Sequence, residues 1–292
     1  MSLLLLSTIL FILILLFICL YWRNNSSVQY YRRSPSYDNI TTIITTSPYP
    51  STNVEQYYEF HLRKTLLSLR HIPELFYSKV IIGFDGDRVS QEFKIDTRCQ
   101  QDIDPQLYQT YKQIVKQDSV LILPRVQFVE CPYRYCLTRN LYECMKHVNT
   151  KYVNIMQQDL PIIKPFRLSV ILDLMESNPQ KYKWVRYSCR SNQDHERFLQ
   201  EISQKPLALP HSSFSFQGQI FSRCNQWSDQ DHISTKEYYD TIVFPTTLPR
   251  MGFMEQDLRF RPIQEHDVFG TYYLGNHQDG HYCEHTDGRK HV

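Results

Sequence analysis

Residues 79–87 read Lys-Val-Ile-Ile-Gly-Phe-Asp-Gly-Asp, a short apolar run that ends in two carboxylates. Three more runs of this kind accompany it: Thr41–Thr46 (TTIITT), Ser119–Leu123 (SVLIL) and Tyr152–Met156 (YVNIM). Continuous β-branched or apolar stretches of this length suit strands covered on both faces. Between them the spacing turns helical. Thr52 and Glu55 form an S/T-x-x-E capping box, after which Tyr58, Leu62, Leu66 and Leu69 keep one face until Pro73. Leu107–Gln117 is a weaker helical stretch, and Leu137, Leu141, Met145 and Val148 line another helix that Asn149-Thr150 breaks. Strands alternating with helices predict an α/β fold, a mainly parallel central sheet flanked by helices. Downstream, strands are expected at Lys183–Ser188 and Gln219–Phe221 and helices near Phe166–Glu176 and Glu196–Ile202, where antiparallel strands can join the sheet. No second linker interrupts residues 39–292, so they are expected to form one domain.

Ligands of open α/β sheets bind beyond the carboxyl ends of the strands. That rule selects Thr45-Thr46-Ser47-Pro48, Asp85-Gly86-Asp87, Pro124-Arg125 and Gln157-Gln158-Asp159. Acidic tips suit a phosphate ligand only if a divalent cation bridges the two, although Asp-Gly is also a common turn pair. Glycine-rich phosphate loops are excluded. The chain has 8 glycines, of which only Gly83 and Gly86 lie in the first 200 residues, and neither G-x-x-x-x-G-K-[ST] nor G-x-G-x-x-G occurs. Lys+Arg at 32 against Asp+Glu at 30 excludes a strongly basic nucleic-acid binder, so no nucleic-acid partner is expected.

Residues Leu3 to Trp22 carry no charge. Twenty residues at about 1.5 Å each span roughly 30 Å, enough to cross a bilayer. Tyr21 and Trp22 sit where an aromatic belt would, and Cys19-Leu20-Tyr21-Trp22 makes a poor cleavage site. A retained transmembrane signal-anchor over residues 1–22 is therefore expected, followed by a polar stem over 23–38. Orientation signals conflict. Arg23, Arg32 and Arg33 favour a cytosolic body, whereas sequons at Asn24, Asn25 and Asn39 and seven cysteines beyond the span suit a lumen. The expectation is a single-pass membrane glycoprotein with a luminal body, in the Golgi or endoplasmic reticulum.

The order of T-T-I-I-T-T-S-P, a helix ending in T-L-L-S-L, then V-I-I-G-F-D-G-D resembles the start of a GT-A glycosyltransferase. Arg139-Asn140 opening a helix that runs into T-K-Y-V-N-I-M-Q-Q-D is similar to the approach to that family's metal-binding Asp-x-Asp motif. The resemblance covers roughly residues 40–163 and rests on order and spacing. It implies a nucleotide-diphospho-sugar transferase with a nucleotide-sugar donor and a glycan, glycoprotein or lipid acceptor. Thr45, Thr46 and Ser47 would face base and ribose, Asp85 and Asp87 would flank them, and Arg139 would approach the base or diphosphate. Asp159 would hold Mn2+ or Mg2+ on the diphosphate, an oxygen donor suited to a hard cation.

The first aspartate of that motif is Gln157 here. Three readings stay open: a weakened metal site, a site completed from elsewhere, or a metal-free enzyme. Completion could come from the carboxyl end, where His277, His281, Cys283 and His285 crowd; the family's late metal-binding histidine makes His281 and His285 equal candidates as ligands. Gly252–Leu258 (GFMEQDL) resembles the acidic motif that supplies the general base, with Glu255 first and Asp257 second. Carboxylates in a first helical turn also simply favour the helix dipole. The segment Trp227–Tyr239, with Asp229, Asp231 and His232, lies where acceptor sites of the family tend to lie. Two rivals remain. One is a non-catalytic sugar-nucleotide or glycan-binding protein, which the loss at position 157 favours. The other is a nucleotidyltransferase, against which Ser47-Pro48-Tyr49-Pro50 offers no glycine-rich loop.

Overall fold

The computed structural model describes residues 37–47, 53–88, 103–191, 197, 213–248, 253–276 and 278–286. The expected anchor over 1–22 and most of the stem lie outside these residues, as do Thr52, His277 and the proposed helix near 196–202 except Arg197. Among the described residues, no helix is long and apolar enough to cross a membrane.

Nine strands form one sheet in the order β3-β2-β1-β4-β8-β5-β9-β7-β6. They are β1 (Ile40–Thr46), β2 (Lys79–Phe84), β3 (Val126–Glu130), β4 (Tyr152–Gln157), β5 (Trp184–Arg186), β6 (Ser213–Phe216), β7 (Gln219–Arg223), β8 (His232–Thr235) and β9 (Thr271–Leu274). β1, β2, β3 and β4 run parallel, and so do β5 and β9. β8 is antiparallel to both β4 and β5, and β7 to β6 and β9. The domain is thus a mixed α/β domain with a central sheet, less parallel than the first four strands suggested.

Helices Val54–Phe60, Leu62–Ser68, Pro105–Ile122 and Leu168–Ser177 cover one face, where Ile44, Leu66, Ile82, Val115, Met156 and Ile171 are fully buried or nearly so. The other face takes helix Cys136–Met145, the helical turns from Lys236 to Thr247 and helix Met254–Leu258, burying Ile43, Ile81, Leu141, Trp184 and Trp227. Alternation along β1 and β2 sends Ile44 and Ile82 to one core and Ile43 and Ile81 to the other.

Two local expectations are corrected. Ser119–Leu123 is not a strand but the end of helix Pro105–Ile122, and the third strand begins at Val126. Asp104 accepts from the N–H groups of Gln106 and Leu107 and caps that helix, and once nucleated it absorbs the apolar SVLI at its end, where Ser119 and Ile122 fall on its buried face. Pro124-Arg125 therefore precedes β3 rather than ending a strand. The helix after β1 is capped by Asn53, whose side chain accepts from Gln56 N–H at 3.0 Å. A kink at His61 then divides it.

Gly83 faces helix Cys136–Met145 so closely that a Cβ there would collide with Asn140 Oδ1 and Cys144 Sγ. The Asn140 amide in turn donates to Gly83 O at 3.3 Å and Thr46 O at 3.2 Å, fastening the helix across β1 and β2. Gly83→Ala is expected to destabilise the domain by about 1–3 kcal/mol through overpacking, read as a lower midpoint in urea denaturation followed by circular dichroism.

Candidate active site

Parallel pairing puts the ends of β1, β2 and β4 side by side, with Thr45 opposite Gln157 and Thr46 opposite Phe84. Because β8 runs the other way, its beginning lies at this same edge. Ile155 pairs with His232, so Asp229 and Asp231 just before β8 arrive beside the end of β4.

Successive residues of β4 diverge. Gln158 turns toward the helices of the first core, donating to Tyr57 OH at 2.8 Å and accepting from Tyr111 OH at 3.2 Å. Gln157 turns the opposite way. Its side-chain amide donates to Asp229 O at 3.1 Å and Asp229 Oδ1 at 3.3 Å, and its backbone N–H donates to Asp231 Oδ1 at 2.9 Å.

Asp159 follows on a turn, and the chain's C-terminal segment comes to it. Ile163 N–H donates to Tyr282 O, Tyr282 N–H to Ser188 O, and Thr286 N–H to Asp159 O at 3.0 Å. These bonds strap residues 280–286 between the end of β5 and the stretch after β4. His285 Nδ1 consequently lies 3.5 Å from Asp159 Oδ2. His281 is exposed, in a left-handed conformation with φ of 51°, and makes no such approach. Of the two histidine candidates, His285 meets Asp159.

Burial alone would lower the His285 imidazole, but hydrogen bonds to Asp159 and the Cys189 thiol outweigh it and hold the imidazole up to about 10. Asp231, fully buried, is pushed well above the carboxylate range by burial first. The Gln157 N–H opposes that rise, while Asp159 and Cys189 add to it. Its Oδ2 has no hydrogen-bond partner. A buried carboxyl oxygen without a partner among the described residues is an unsatisfied polar group that calls for a proton, a water or an ion.

On the other side of β4, Asp229 is hydrogen-bonded to Glu255, and its carboxyl is raised well above the usual range, first by burial and then by that neighbour. Glu255 Oε1 accepts from Gln226 Nε2 at 3.0 Å and lies 3.4 Å from the Arg259 guanidinium. Glu255 sits in the first turn of helix Met254–Leu258. It is Glu255, rather than half-buried Asp257, that makes the contacts to Gln226 and Asp229. The Arg186 guanidinium, at the end of β5, is fully buried and has no hydrogen-bond partner. It rests 4.6 Å from the Tyr273 ring and feels the charge of Glu255.

The expected nucleotide-binding residues are differently disposed. Thr46 Oγ1 donates to Gly83 O, and Thr45 and Thr46 are buried, while Ser47 is exposed at the tip of β1. Asp85 is 2% exposed, and its carboxylate accepts from the N–H groups of Gly86, Tyr135 and Cys136. It therefore staples β2 to the start of helix Cys136–Met145, where Cys136 has a left-handed φ of 59° and is disulfide-bonded. Cys131, Cys144, Cys189, Cys224 and Cys283 carry thiols rather than disulfides. Asp87 is half-exposed and accepts from Gln109. Arg139 pairs with Glu143 at 3.0 Å over the Tyr142 ring, along its own helix. The structure thus gathers Asp159 with His285, and Glu255 with Asp229, around the end of β4. Asp85 and Arg139 are engaged elsewhere.

Cys189, Gln226 and Arg186 carried no signal in the sequence. Asp229 and Asp231 did, as acids of the loop Trp227–Tyr239 where the resemblance places acceptor sites, but no strand was expected after them, and β8 runs antiparallel, so the rule of carboxyl ends passes over it. Among the described residues, no group of three His, Cys, Asp or Glu side chains is arranged to hold a metal by itself. A surface recess of about 540 Å³, lined by Val148, Lys151, Thr235 and Asp240, lies at the opposite end of β4.

No protein-family model matches the chain, and no curated protein matches it. Among solved structures it is similar to a mannosyltransferase from Pyrobaculum calidifontis in complex with GDP-Man and Mn2+, at 12% identity over 76% of this chain and 53% of that one, with a TM-score of 0.39. It is similar to TarS of S. aureus at 13% identity over 85% of this chain and 36% of that one, TM-score 0.49. A cytidylyltransferase from Leptospira borgpetersenii serovar Hardjo-bovis matches at 12% identity over 84% of this chain and 79% of that one, TM-score 0.40. The chain spans about half the length of the mannosyltransferase and about a third of TarS. These likenesses stand beside the strand order and register, which define the fold.

The Asp85 carboxyl is raised to about 7 because burial outweighs its three backbone donors. A carboxyl raised on folding contributes stability that is complete below its unfolded value and is lost as pH rises through the folded one. Stability from this group is expected to fall between about pH 4 and pH 7. Urea titrations across that range should show a flatter profile for Asp85→Asn than for the parent chain.

Proposed function

We propose that this chain is a glycosyltransferase that moves a sugar from a nucleotide-diphosphate donor to a hydroxyl of a glycan, glycoprotein or lipid. The observation that supports it most is the meeting of Asp159 and His285 at the end of β4, one strand end away from the Asp229–Glu255 pair. Mg2+-like cations on nucleotides are commonly held by one or two protein ligands, with phosphate oxygens and water completing the shell. In this reading Asp159 and, once it has given up its proton, His285 would supply two ligands to Mn2+ or Mg2+. Such an ion supplies Lewis-acid stabilisation of the departing diphosphate.

The chain's own residues have the remaining tasks. Glu255 is the general base that takes the acceptor hydroxyl's proton, with Gln226 and Arg259 fixing its carboxylate. Ser47 and Asp87, both accessible at the strand ends, are the candidates for contact with base and ribose. In the same reading residues 1–22 anchor the enzyme in a Golgi or endoplasmic reticulum membrane, with the body in the lumen.

The test is nucleotide release from a panel of sugar nucleotides by the purified chain, with and without Mn2+. Metal-dependent turnover of one donor is expected, lowered about 100-fold or more by Asp159→Ala and by His285→Ala. Binding of a sugar nucleotide without turnover under any condition would leave a non-catalytic binding protein instead.

A further inference from the structure

One buried cation takes no part in the clusters around the end of β4. Arg186 is 0% exposed, and its Nε, Nη1 and Nη2 have no hydrogen-bond partner among the described residues. Trp184, two residues earlier on β5 and equally buried, has an Nε1 that is unpartnered in the same way. Residues i and i+2 of a strand share a face. The guanidinium Cζ lies 5.8 Å from the centre of the Trp184 ring and 4.6 Å from that of Tyr273. A guanidinium and an indole N–H are donors only and offer no acceptor to each other.

The sheet pairing explains why the neighbours supply no acceptor either. Ile155, His232, Arg186 and Tyr273 form one lateral row across β4, β8, β5 and β9. His232 has both ring nitrogens engaged, with Gln230 O at 2.5 Å and Tyr239 OH at 2.6 Å, and stays neutral, its imidazole lowered to about 3 by burial. Asp231 has an unpartnered oxygen but precedes His232 and so turns to the opposite face. Glu255 accepts from Gln226 and lies beside Arg259. An isolated guanidinium in a dry interior is strongly unfavourable.

We propose that Arg186 and Trp184 form a buried site for a small inorganic anion of halide size, held by the guanidinium and indole N–H groups. Enclosure decides the size. The Trp227 and His232 rings, 6.3 and 5.0 Å from that of Trp184, are themselves 0% exposed. A carboxylate or phosphate still attached to a substrate would have to bring that substrate into the core, whereas a single ion can enter through local opening. A halide also accepts N–H groups from any direction and needs no donor in return, which suits a cluster that has only donors. Such a site is independent of whether the chain transfers sugars.

The test dialyses the purified chain free of halide and follows its thermal midpoint in sodium chloride, bromide, acetate, phosphate and gluconate at equal ionic strength. At about ten times its dissociation constant a halide is expected to raise the midpoint by about 3–6 °C over gluconate. The chain should also broaden the chloride NMR line, and bromide should reverse the broadening. Arg186→Met keeps an apolar stem and removes the charge. Without halide it should be at least as stable as the parent chain, because it no longer buries an unpaired cation, and it should lose both responses. Trp184→Phe keeps an aromatic ring and loses the N–H, and should weaken halide affinity about tenfold; it carries the test if Arg186→Met does not fold. Equal midpoints in chloride and gluconate overturn the proposal, as does a chloride response that survives Arg186→Met or is unchanged in Trp184→Phe. Greater stabilisation by acetate or phosphate than by halide overturns it too, in favour of an acid-bearing ligand.

Discussion

Acidic side chains crowd the carboxyl ends of neighbouring strands, and their desolvation in a dry interior is the constraint that this side of the molecule has to meet. Asp85, Asp229 and Asp231 are all buried, and Asp159 and Glu255 lie close by. Unpaired buried charges cost several kcal/mol each, so every one of these groups needs a donor, a cation or a proton. Three solutions are visible. Asp85 is wrapped in backbone N–H groups, Asp159 faces a charged imidazole, and Asp229 is pushed toward its neutral form by burial and by neighbouring Glu255. Asp231 has the Gln157 N–H on one oxygen and no partner on the other. That oxygen still calls for a proton, a water or an ion.

The geometry of β4 keeps these solutions apart. Alternation sends Gln157 to one face and Gln158 to the other. Asp159, Asp231, His285 and Cys189 gather on one side, and Asp229 and Glu255 on the other. Position 157 touches both, through its backbone N–H on one side and its amide on the other. The side-chain amide donates to Asp229, which a carboxylate at this position could not do, while the backbone N–H reaches Asp231 whatever the side chain.

Much of the fold was legible from local pattern. Runs such as TTIITT and KVIIGF had no helical alternative, because β-branched residues covered on both faces pack well only in a sheet. SVLIL misled because it is an apolar run of strand length, and only the capped helix before it decides its state. Of the site, Asp159 and Glu255 were visible as acids at a strand end and a helix start. His285 was visible as one of a crowd, and nothing in local spacing separated it from His281. The difference is made by the backbone bonds of Tyr282 and Thr286, which set the register of the C-terminal strap.

Strand identity, the alternation of faces and the placing of acids at chain turns are properties of short segments, and the amino-acid sequence by itself determined them. Which acids meet was decided only by tertiary structure. β8 enters antiparallel between β4 and β5, bringing Asp229 and Asp231 across more than seventy residues to Gln157, and the strap brings His285 across more than a hundred to Asp159. Strand direction and register are set by the whole hydrophobic core and not by the residues that pair, so no local pattern could announce those contacts.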